Sequence, residues 1–544
     1  MKDTKKPGFF RVLFCCTLLL FFSGFTLSHL RLYFQEGFQL RLLSTWRPPA
    51  MEVISGDSAS FLTISVQETV IFPDQVLVFL KYPPSTRLFT INDIDCVYLL
   101  VPNSSEPHLK LHPVWIDDQY FGHQIIRCPL QTHGRIVSIE VKSIGSLVPR
   151  PAYRWDSLAY EAILDRDNTT VVFVKGLNLR SGKVSDPSKF ECIFGWDLRK
   201  PKFVVRSHVI TVAQEIVRCK TPPSILNSQQ GFDTNINDSI KVSVRVVGRQ
   251  TLKSVARLKH RLEPATLSKK QHEMCICTML RNQARFLHEW VMYHGHIGVE
   301  RWFIYDNNSD DDIEDVVETL VSKNYNITRY VWPWIKTQEA GFSHCALQAS
   351  DSCEWVGFID VDEFFHLPSG LSLHDVIKKQ SRGSEVAELR VPCHSFGPSG
   401  LKKVPVKGVT VGYTCRLSGT ERHKSIVRPE ALNSTLINLV HHFHLKAGCR
   451  SVNVNGNRLV INHYKYQVWE VFKEKFYRRV AAYVSDWQHK RNVGSKDRAP
   501  GLGTKAVEPP DWSTRFCEVR DSGLKERVLK TFTDKKTGRM PWQN

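Results

Sequence analysis

Three carboxylates come directly after an apolar stretch of the chain, in the segment GFIDVDEFFHL (357–367). Asp360, Asp362 and Glu363 repel one another, so a positive partner should lie beside them. Carboxylate oxygens suit a hard divalent cation such as Mg²⁺ or Mn²⁺, which keeps open positions for water or a substrate phosphate. The segment therefore predicts a cation site, and a turn with solvated, capping carboxylates is the alternative.

The D-x-D spacing alone is weak evidence for a metal site. Three further pairs of this kind occur at Asp93/Asp95, Asp165/Asp167 and Asp310/Asp312. They fall in predicted loops or at a helix start, where turn and capping carboxylates are common. The pair Asp360/Asp362 differs because an apolar strand leads into it. Alternate side chains of an extended strand face the same way, so we expect these two carboxylates to converge.

The elements around this segment alternate between strands and helices. Strands are predicted at 274–279, 301–305, 327–331 and 355–359, and helices at 282–297, 313–321 and 338–350. This alternation predicts an α/β domain over residues 271–544, with a mostly parallel sheet and helices on both faces. Ligands of such sheets bind outside the carboxyl ends of the strands. Because Asp306 and Asp360 each follow a strand, we expect both at one crevice.

The preceding region, residues 61–252, is rich in short β-type runs separated by turn residues. The clearest runs are 61–66, 75–80, 96–101, 170–174, 203–205 and 240–247. Such spacing predicts one all-β, sandwich-like domain. Residues 31–60 are predicted as a stem and residues 253–270 as a basic connector. The chain shows no internal repeat.

The amino-terminus predicts a membrane anchor. A basic segment, residues 1–11, precedes an uncharged run, residues 12–30, of about 19 residues, which is near the lower limit for a spanning helix. A cleaved signal peptide is the alternative, but no A-x-A-like cleavage site follows the run. Basic flanks stay cytoplasmic, so we expect a single-pass type II protein whose bulk is lumenal.

A lumenal body agrees with the cysteine content. The chain has 14 cysteines, 12 of them beyond the predicted anchor, and an oxidising lumen permits disulfides whose pairing the sequence does not reveal. Cys275-x-Cys277 is interpreted as part of an apolar strand rather than as a metal site. Glycosylation sequons occur at Asn103, Asn168, Asn237, Asn307, Asn326 and Asn433.

The formal net charge of +19 favours an anionic partner: nucleic acid, an anionic membrane or an acidic polysaccharide. A lumenal, membrane-tethered protein rarely meets nucleic acid, so the polysaccharide is the preferred interpretation. No G-x-x-x-x-G-K-[ST] loop is present, which disfavours a P-loop kinase.

Several motifs, in order, resemble glycosyltransferase family 92. They are CTMLRNQARFLHEWVMYHGHIGVERWFIYDNNSDDD (277–312), WVGFIDVDEFF (355–365), HKSIVRPE (423–430) and INHYKYQVWEVFKEKFYRR (461–479), with HSFGPSGL, KDRAPGLGT and EPPDW. The resemblance covers residues 271–544 and is strongest to the plant β-1,4-galactan synthases. It implies a GT-A fold, a UDP-sugar donor and an inverting transfer that depends on Mn²⁺ or Mg²⁺. The β-rich region resembles, in its placement, a carbohydrate-binding module of those enzymes.

The resemblance also implies a metal and phosphate site. Asp360 and Asp362 match the metal and diphosphate motif, and His463 matches a third metal ligand. Lys465 would meet a phosphate charge. The alternatives are a structural histidine and a solvated lysine.

On the nucleotide side, the resemblance implies that Asp306 hydrogen-bonds the uracil. Thr278, Arg281 and Asn282 would line the nucleotide pocket. Since Asn307 adjoins this pocket, we expect its sequon to carry no glycan.

Inversion requires a base that takes the proton of the acceptor hydroxyl. Glu421, in TERHKS, is the candidate, with Glu363 and Asp511 as rivals and an ordinary surface glutamate as the alternative. Three further side chains are candidates for the walls of the donor or acceptor site, with core packing as the alternative: Trp332, Trp334 and His344.

The resemblance, together with the predicted anchor and the net charge, implies a Golgi galactosyltransferase that extends β-1,4-galactan side chains of acidic pectin from UDP-galactose. The first alternative is the same family with another UDP-sugar donor or acceptor. The second is a non-catalytic, lectin-like protein, which would bind glycan without metal-dependent release of UDP. Self-association as a homodimer is a further expectation.

Overall fold

A computed structural model describes residues 64–81, 88–99, 109–120, 123–131, 136–180, 182–198, 204–228, 240–259, 270–483 and 507–543. The predicted tail (1–11), anchor (12–30) and stem (31–60) lie outside these residues, as do the sequons at Asn103 and Asn237. Among the helices that the structure does describe, none is both long and apolar enough to cross a bilayer.

The first β unit, repeat A (residues 64–154), consists of two sheets around one apolar core. The strand orders are β5-β6-β2-β1-β9 and β4-β3-β7-β8. The strands are β1 Ser65–Ile71, β2 Gln75–Lys81, β3 Ile94–Leu99, β4 Leu109–Leu111, β5 Trp115–Tyr120, β6 His123–Pro129, β7 Ile136–Val141, β8 Gly145–Ser146 and β9 Ala152–Arg154. The disulfide Cys96–Cys128 joins β3 to β6 through this core.

The second β unit, repeat B (residues 158–259), has the strand order β16-β13-β14-β15-β11-β10-β17, with β12 paired to β14 and β18 to β10. The strands are β10 Leu158–Leu164, β11 Thr169–Lys175, β12 Val184–Ser185, β13 Phe190–Gly195, β14 Val204–Ala213, β15 Ile216–Lys220, β16 Lys241–Val246, β17 Lys253–Ser254 and β18 Leu258–Lys259, with helix α1 at Pro223–Ser228. Repeat B therefore continues into the predicted basic connector.

The prediction of one β domain without an internal repeat is wrong, because repeats A and B share one topology. In each, the first two strands pair antiparallel with a β-bulge, and a glutamate follows the bulge: Glu68 in repeat A and Glu161 in repeat B. In each, the first strand also pairs parallel with the last. The disulfide Cys192–Cys219 joins β13 to β15 as Cys96–Cys128 joins β3 to β6.

The duplication is hard to detect in the sequence because the two repeats share their strand topology but only short stretches of similar sequence. VFLK in β2 matches VFVK in β11, and IIRCP in β6 matches IVRCK in β15. The long β14 pairs with strands of both layers, whereas β4 and β5 are separate strands in repeat A. A strand needs only alternating apolar residues to bury one face, and many different apolar side chains meet that need. Two repeats can therefore share a topology with little identical sequence.

The α/β domain begins at residue 270 and is built on one mixed sheet of order β21-β20-β19-β22-β26-β24-β28-β23, with β27 beside β24. The strands are β19 His272–Leu280, β20 Arg301–Asp306, β21 Ile327–Val331, β22 Cys353–Phe358, β23 Glu363–His366, β24 Val386–Ser395, β25 Cys415–Arg416, β26 Glu421–Val427, β27 Arg450–Asn453, β28 Val460–His463 and β29 Val519–Arg520. The helices are α2 Ala284–Ile297, α3 Ile313–Ser322, α4 Gln338–Ala349, α5 Leu373–Gln380, α6 Val409–Gly412, α7 Trp469–Tyr483 and α8 Gly523–Phe532. The predicted parallel strands are confirmed, since β21, β20, β19 and β22 are mutually parallel.

The two faces of this sheet are covered differently. Residues Ile276 and Ile304 face helices α2 and α3, as predicted. On the other face, Cys277 and Tyr305 meet helix α4 together with strands of both β repeats. The repeats are therefore packed on the mixed sheet and take part in its core.

Five disulfides are present among the described residues. They join Cys96–Cys128, Cys192–Cys219, Cys275–Cys353, Cys277–Cys345 and Cys415–Cys517, and Cys393 and Cys449 are free thiols. Cys275 and Cys277 are two residues apart on β19 and point to the same face of the sheet, which agrees with the strand interpretation.

A buried glutamate supports the short helix α6. The Glu289 carboxylate, on α2, accepts hydrogen bonds from the backbone N of Val409 (2.8 Å), the backbone N of Thr410 (3.0 Å) and the Thr410 hydroxyl (2.5 Å). Burial outweighs these bonds and raises the pKa of Glu289 to about 7.

This shift predicts a pH-dependent stability. Between about pH 4.3 and pH 7, the Glu289 carboxyl is protonated in the folded protein and ionised in the unfolded chain, whose glutamate pKa is near 4.3. The linked stability is fully present below about pH 4.3 and is lost as the pH rises through 7, by roughly 3 kcal/mol. In urea denaturation at pH 5 and pH 8, Glu289→Gln should gain stability relative to wild type at the higher pH. An equal difference at both pH values would contradict the shift.

Candidate active site

The three carboxylates lie in a turn at the carboxyl edge of the parallel strands. Strand β22 ends at Phe358, and the backbone N of Glu363 donates to the carbonyl O of Asp360 at 3.0 Å. Strand β23 begins at Glu363 and pairs with β28, which places Glu363 opposite His463. The expected extended backbone is therefore wrong. A tight turn, rather than strand alternation, brings the carboxylates to one place.

Asp360 and Glu363 share a lysine that the sequence did not single out. Lys424 Nζ, on β26, lies 2.7 Å from Glu363 Oε1 and 3.5 Å from Asp360 Oδ2. It also donates to His441 Nε2 at 2.7 Å, while His441 Nδ1 contacts the Phe358 carbonyl O at 2.9 Å. Burial opposes ionisation of Asp360, but Lys424 and His441 hold its pKa below the usual range. The Asp360 side chain is 32% exposed, so it remains open to a ligand.

Asp362 is held by two other cationic groups. Lys475, on α7, forms an ion pair with its carboxylate, and His463 Nε2 lies 3.5 Å from Oδ2. Burial raises the pKa of Asp362, but Lys475 and His463 outweigh it and keep the carboxyl ionised. Asp362 and Glu363 raise the pKa of His463 well above its usual range, against the effect of burial.

Glu421 lies beside His463 and Lys465. Its Oε2 is 3.3 Å from His463 Nδ1, and its Oε1 is 2.5 Å from Lys465 Nζ. Burial raises the pKa of Glu421, but the two partners lower it to far below its usual range. A carboxylate held in this way is a weak proton acceptor. The rival Glu363 is fully buried, and Asp511 lies on the surface in an ion pair with Arg515.

Glu363, Cys393 and His463 form a second, inner group of ligand atoms, all within 4.8 Å of one another. This group contains a thiol, which suits a softer ion than the oxygen-rich pair Asp360/Asp362. Lys424 already neutralises Glu363 in it. Asp360 and Asp362 supply the oxygen ligands that Mn²⁺ and Mg²⁺ prefer, and His463 Nε2 lies 3.5 Å from Asp362 Oδ2.

Asp306 lies at the same edge of the sheet. Strand β19 separates β20 from β22, which puts the ends of those two strands about 10 Å apart. The Asp306 carboxylate is buried, and Oδ2 accepts from Arg329 Nε (3.0 Å) and Nη2 (2.8 Å). Oδ1 accepts from the Ser309 backbone N at 3.0 Å. These bonds hold the loop after β20 and engage both carboxylate oxygens of Asp306. The contact of Asp306 with uracil stays a prediction.

The three other predicted nucleotide residues differ in their surroundings. Asn282 joins two loops: its backbone N donates to Ser309 Oγ at 3.0 Å, and its Oδ1 accepts from the Asp310 backbone N at 2.9 Å. Thr278 is fully buried within β19. Arg281 is exposed beside this loop.

Trp332, Trp334 and His344 lie in the core between the catalytic domain and the repeats. Trp334 is fully buried and stacks on Trp155 at 5.5 Å and on Phe79 at 6.0 Å between ring centroids. Their burial supports core packing rather than a wall of the donor site.

The predicted absence of a glycan at Asn307 has a structural basis. Asn307 Nδ2 donates to the carbonyl O of Trp332 at 2.7 Å and of Trp334 at 3.0 Å. Glycosylation consumes this nitrogen and would break both bonds. In protein expressed through a eukaryotic secretory pathway, glycopeptide mass spectrometry should find Asn307 unmodified, with the exposed Asn326 as the accessible comparison. An occupied Asn307 would contradict the loop geometry.

Four carboxylates and four cationic groups are thus gathered at one edge of the sheet. The acids are Asp360, Asp362, Glu363 and Glu421, and the bases are Lys424, Lys465, Lys475 and His463. Because the charges already balance, the site would best accept a pair whose charges cancel, such as a divalent cation with a diphosphate.

The fold and this charged edge are consistent with a glycosyltransferase. The family model for glycosyltransferase family 92 matches residues 270–494. A glycosyltransferase family 92 protein of Ricinus communis is 62% identical over 544 residues, covering 97% of each chain. Family members of rice (Oryza sativa subsp. japonica) and Arabidopsis thaliana are 49% and 46% identical and cover 98% and 97% of this chain, and 93% and 94% of their own. The chain belongs to glycosyltransferase family 92.

Solved structures show only remote similarity. The mannosyltransferase PcManGT of Pyrobaculum calidifontis, in complex with GDP-Man and Mn²⁺, matches with 11% identity and a TM-score of 0.27, over 44% of this chain and 70% of that chain.

Proposed function

We propose that the chain is a Golgi, type II β-1,4-galactosyltransferase of GT-A fold that adds galactose from UDP-galactose to the galactan side chains of pectin. The observation that carries the proposal is the turn at the carboxyl edge of the parallel strands, which holds Asp360 with its side chain 32% exposed and Asp362 beside His463. The motif likeness to plant galactan synthases supports the sugar, and the net charge of +19 suits an acidic acceptor.

Asp360 and Asp362 would hold the cation, Mn²⁺ or Mg²⁺, and His463 would join them as a ligand by giving up the proton that the neighbouring carboxylates stabilise on it. When bound, that ion neutralises the charge that develops on the leaving diphosphate. Lys475 and Lys465 lie around the same carboxylates and would bind phosphate oxygens once the donor is present. The chain's own task is to hold the pyrophosphate in one orientation and to exclude water from it.

In the proposed transfer, a hydroxyl oxygen of the acceptor bonds to the anomeric carbon of galactose. The bond from that carbon to the β-phosphate oxygen breaks, UDP leaves with the electron pair, and the hydroxyl proton passes to a base. Glu421 remains the proposed base because its carboxylate is 29% exposed, whereas Glu363 is fully buried.

Glu421→Gln tests this role. Loss of a base lowers kcat by about 100-fold or more, with donor affinity retained. His463 and Lys465 make Glu421 a weak base. A fall in donor affinity with unchanged kcat would therefore show that Glu421 orients these two residues and does not act as the base. Initial rates against donor concentration separate the two results.

The proposal as a whole is tested with the lumenal body, residues 45–544, and a panel of UDP-sugars. We expect Mn²⁺-dependent UDP release with UDP-galactose and galactan oligomers. UDP release with a different UDP-sugar would change the proposed donor and would still support the transferase reaction. Binding of galactan without UDP release from any donor would favour the lectin-like alternative.

A further inference from the structure

We infer that the two β repeats position two loops of the active site through a pair of equivalent arginines, Arg127 and Arg218. These are positioning residues, since they lie behind the loops. The kinetic part of this inference rests on the proposed function, whereas its structural part does not.

The equivalence of the arginines follows from strand register. Arg127, on β6, lies opposite Leu77 of β2, and Arg218, on β15, lies opposite Val171 of β11. Each arginine immediately precedes the second cysteine of its repeat's disulfide. The duplication therefore places the same side chain at the same position of each repeat, on the side that meets the catalytic domain.

Arg127 connects repeat A to the loop after β20. Its Nε and Nη2 donate to the two oxygens of Asp117 at 2.7 Å and 2.6 Å, and its Nη1 donates to the Ser309 carbonyl O at 3.1 Å. Both partners of this ion pair are almost fully buried. Ser309 in turn binds Asp306 and Asn282, so Arg127 supports the predicted nucleotide side of the site.

Arg218 connects repeat B to the loop at residues 433–446. Its Nη1 donates to Asp165 Oδ2 at 2.8 Å, and its Nε donates to the Ser434 carbonyl O at 2.9 Å. Gln214, on the turn before β15, donates to the Asn438 carbonyl O at 2.8 Å. The same loop carries His441, which accepts a hydrogen bond from Lys424 beside Asp360.

The chemistry of arginine explains why one residue type serves both positions. The planar guanidinium can bind a carboxylate of its own repeat with one edge and still donate to a carbonyl across the boundary with another nitrogen. The Ser309 carbonyl is buried, so the loss of its donor would be costly, and the loop after β20 is held where the guanidinium is. The contact of Arg218 with the Ser434 carbonyl is part-buried and is supported by the Gln214 contact to the same loop. Repeat A thus sets the donor side, and repeat B sets the carboxylate side.

Arg127→Lys and Arg218→Lys test the inference, because lysine keeps the charge but cannot make both contacts. Loss of one charge-assisted hydrogen bond corresponds to about a tenfold effect. We expect Arg127→Lys to raise KM for the donor about tenfold with kcat within twofold. We expect Arg218→Lys to lower kcat about tenfold with KM within twofold. The control, Arg154→Lys, changes an exposed arginine of repeat A and should alter neither.

Hydrogen exchange on the ligand-free protein provides a readout that does not depend on the reaction. Arg127→Lys should speed exchange at residues 307–312 and leave 433–446 unchanged, and Arg218→Lys should do the reverse. Unchanged exchange, or equal acceleration of both loops by either variant, would overturn the inference even if wild type proves active. A wild type without turnover but with this crossed exchange pattern would overturn the proposed function and leave the positioning role standing.

Discussion

Asp362→Asn should lower the rate of UDP-sugar turnover by about three orders of magnitude, or roughly 4 kcal/mol of transition-state stabilisation, while the fold is retained. The amide has the shape of the carboxylate but lacks its charge, so it cannot balance both Lys475 and the cation. Asp362 is the carboxylate that contacts both His463 and Lys475, which places it at the centre of the charged group.

The matched control is Asp312→Asn. Asp312 belongs to another D-x-D pair, but it is exposed at the start of α3 and makes no capping hydrogen bond with its side chain. Its turnover should stay within twofold of wild type. Circular dichroism and thermal melting confirm the folding of both variants. A fully active Asp362→Asn protein would contradict a catalytic role for the turn.

Trp334→Ala should have the largest effect on stability, a loss of about 3–5 kcal/mol. The Trp334 ring is fully buried between Phe72, Phe79, Trp155 and Tyr160 of the β repeats, so its removal leaves a cavity at the boundary of the domains. Urea denaturation followed by circular dichroism measures the loss.

Trp196→Ala provides the comparison, because it removes the same side chain from the surface of repeat B, where Trp196 is 55% exposed. Its stability should remain within about 0.5 kcal/mol of wild type. If Trp334→Ala were equally mild, the repeats would not share a core with the catalytic sheet, and they would be better described as an independent binding module.

Periodicity in the sequence predicted much of the catalytic sheet. The apolar runs that became β19, β20, β21 and β22 were placed to within about two residues, and helix α2 begins at Ala284, two residues after its predicted start. Apolar periodicity predicts such elements well because it reflects which face of a strand or helix is buried, and that pattern is contained within the element itself.

What the sequence could not predict depends on contacts between distant residues. Lys475 is 113 residues from Asp362, and nothing in its helical segment marks it as a partner of that carboxylate. Lys424 lies three residues after Glu421, but an irregularity in the pairing of β24 with β26 falls between these two residues, and strand alternation in the sequence does not reveal it. The duplication of the β repeats was hidden for the same reason, since it resides in strand order and register.

The most direct test of a cation and nucleotide site at this edge is a crystal structure with UDP and Mn²⁺, using anomalous scattering to locate the ion. We predict an anomalous peak in coordination distance of Asp360 and Asp362, with the diphosphate of UDP on the ion and the uridine beside the 306–311 loop. A peak elsewhere, or UDP bound away from that loop, would contradict the site.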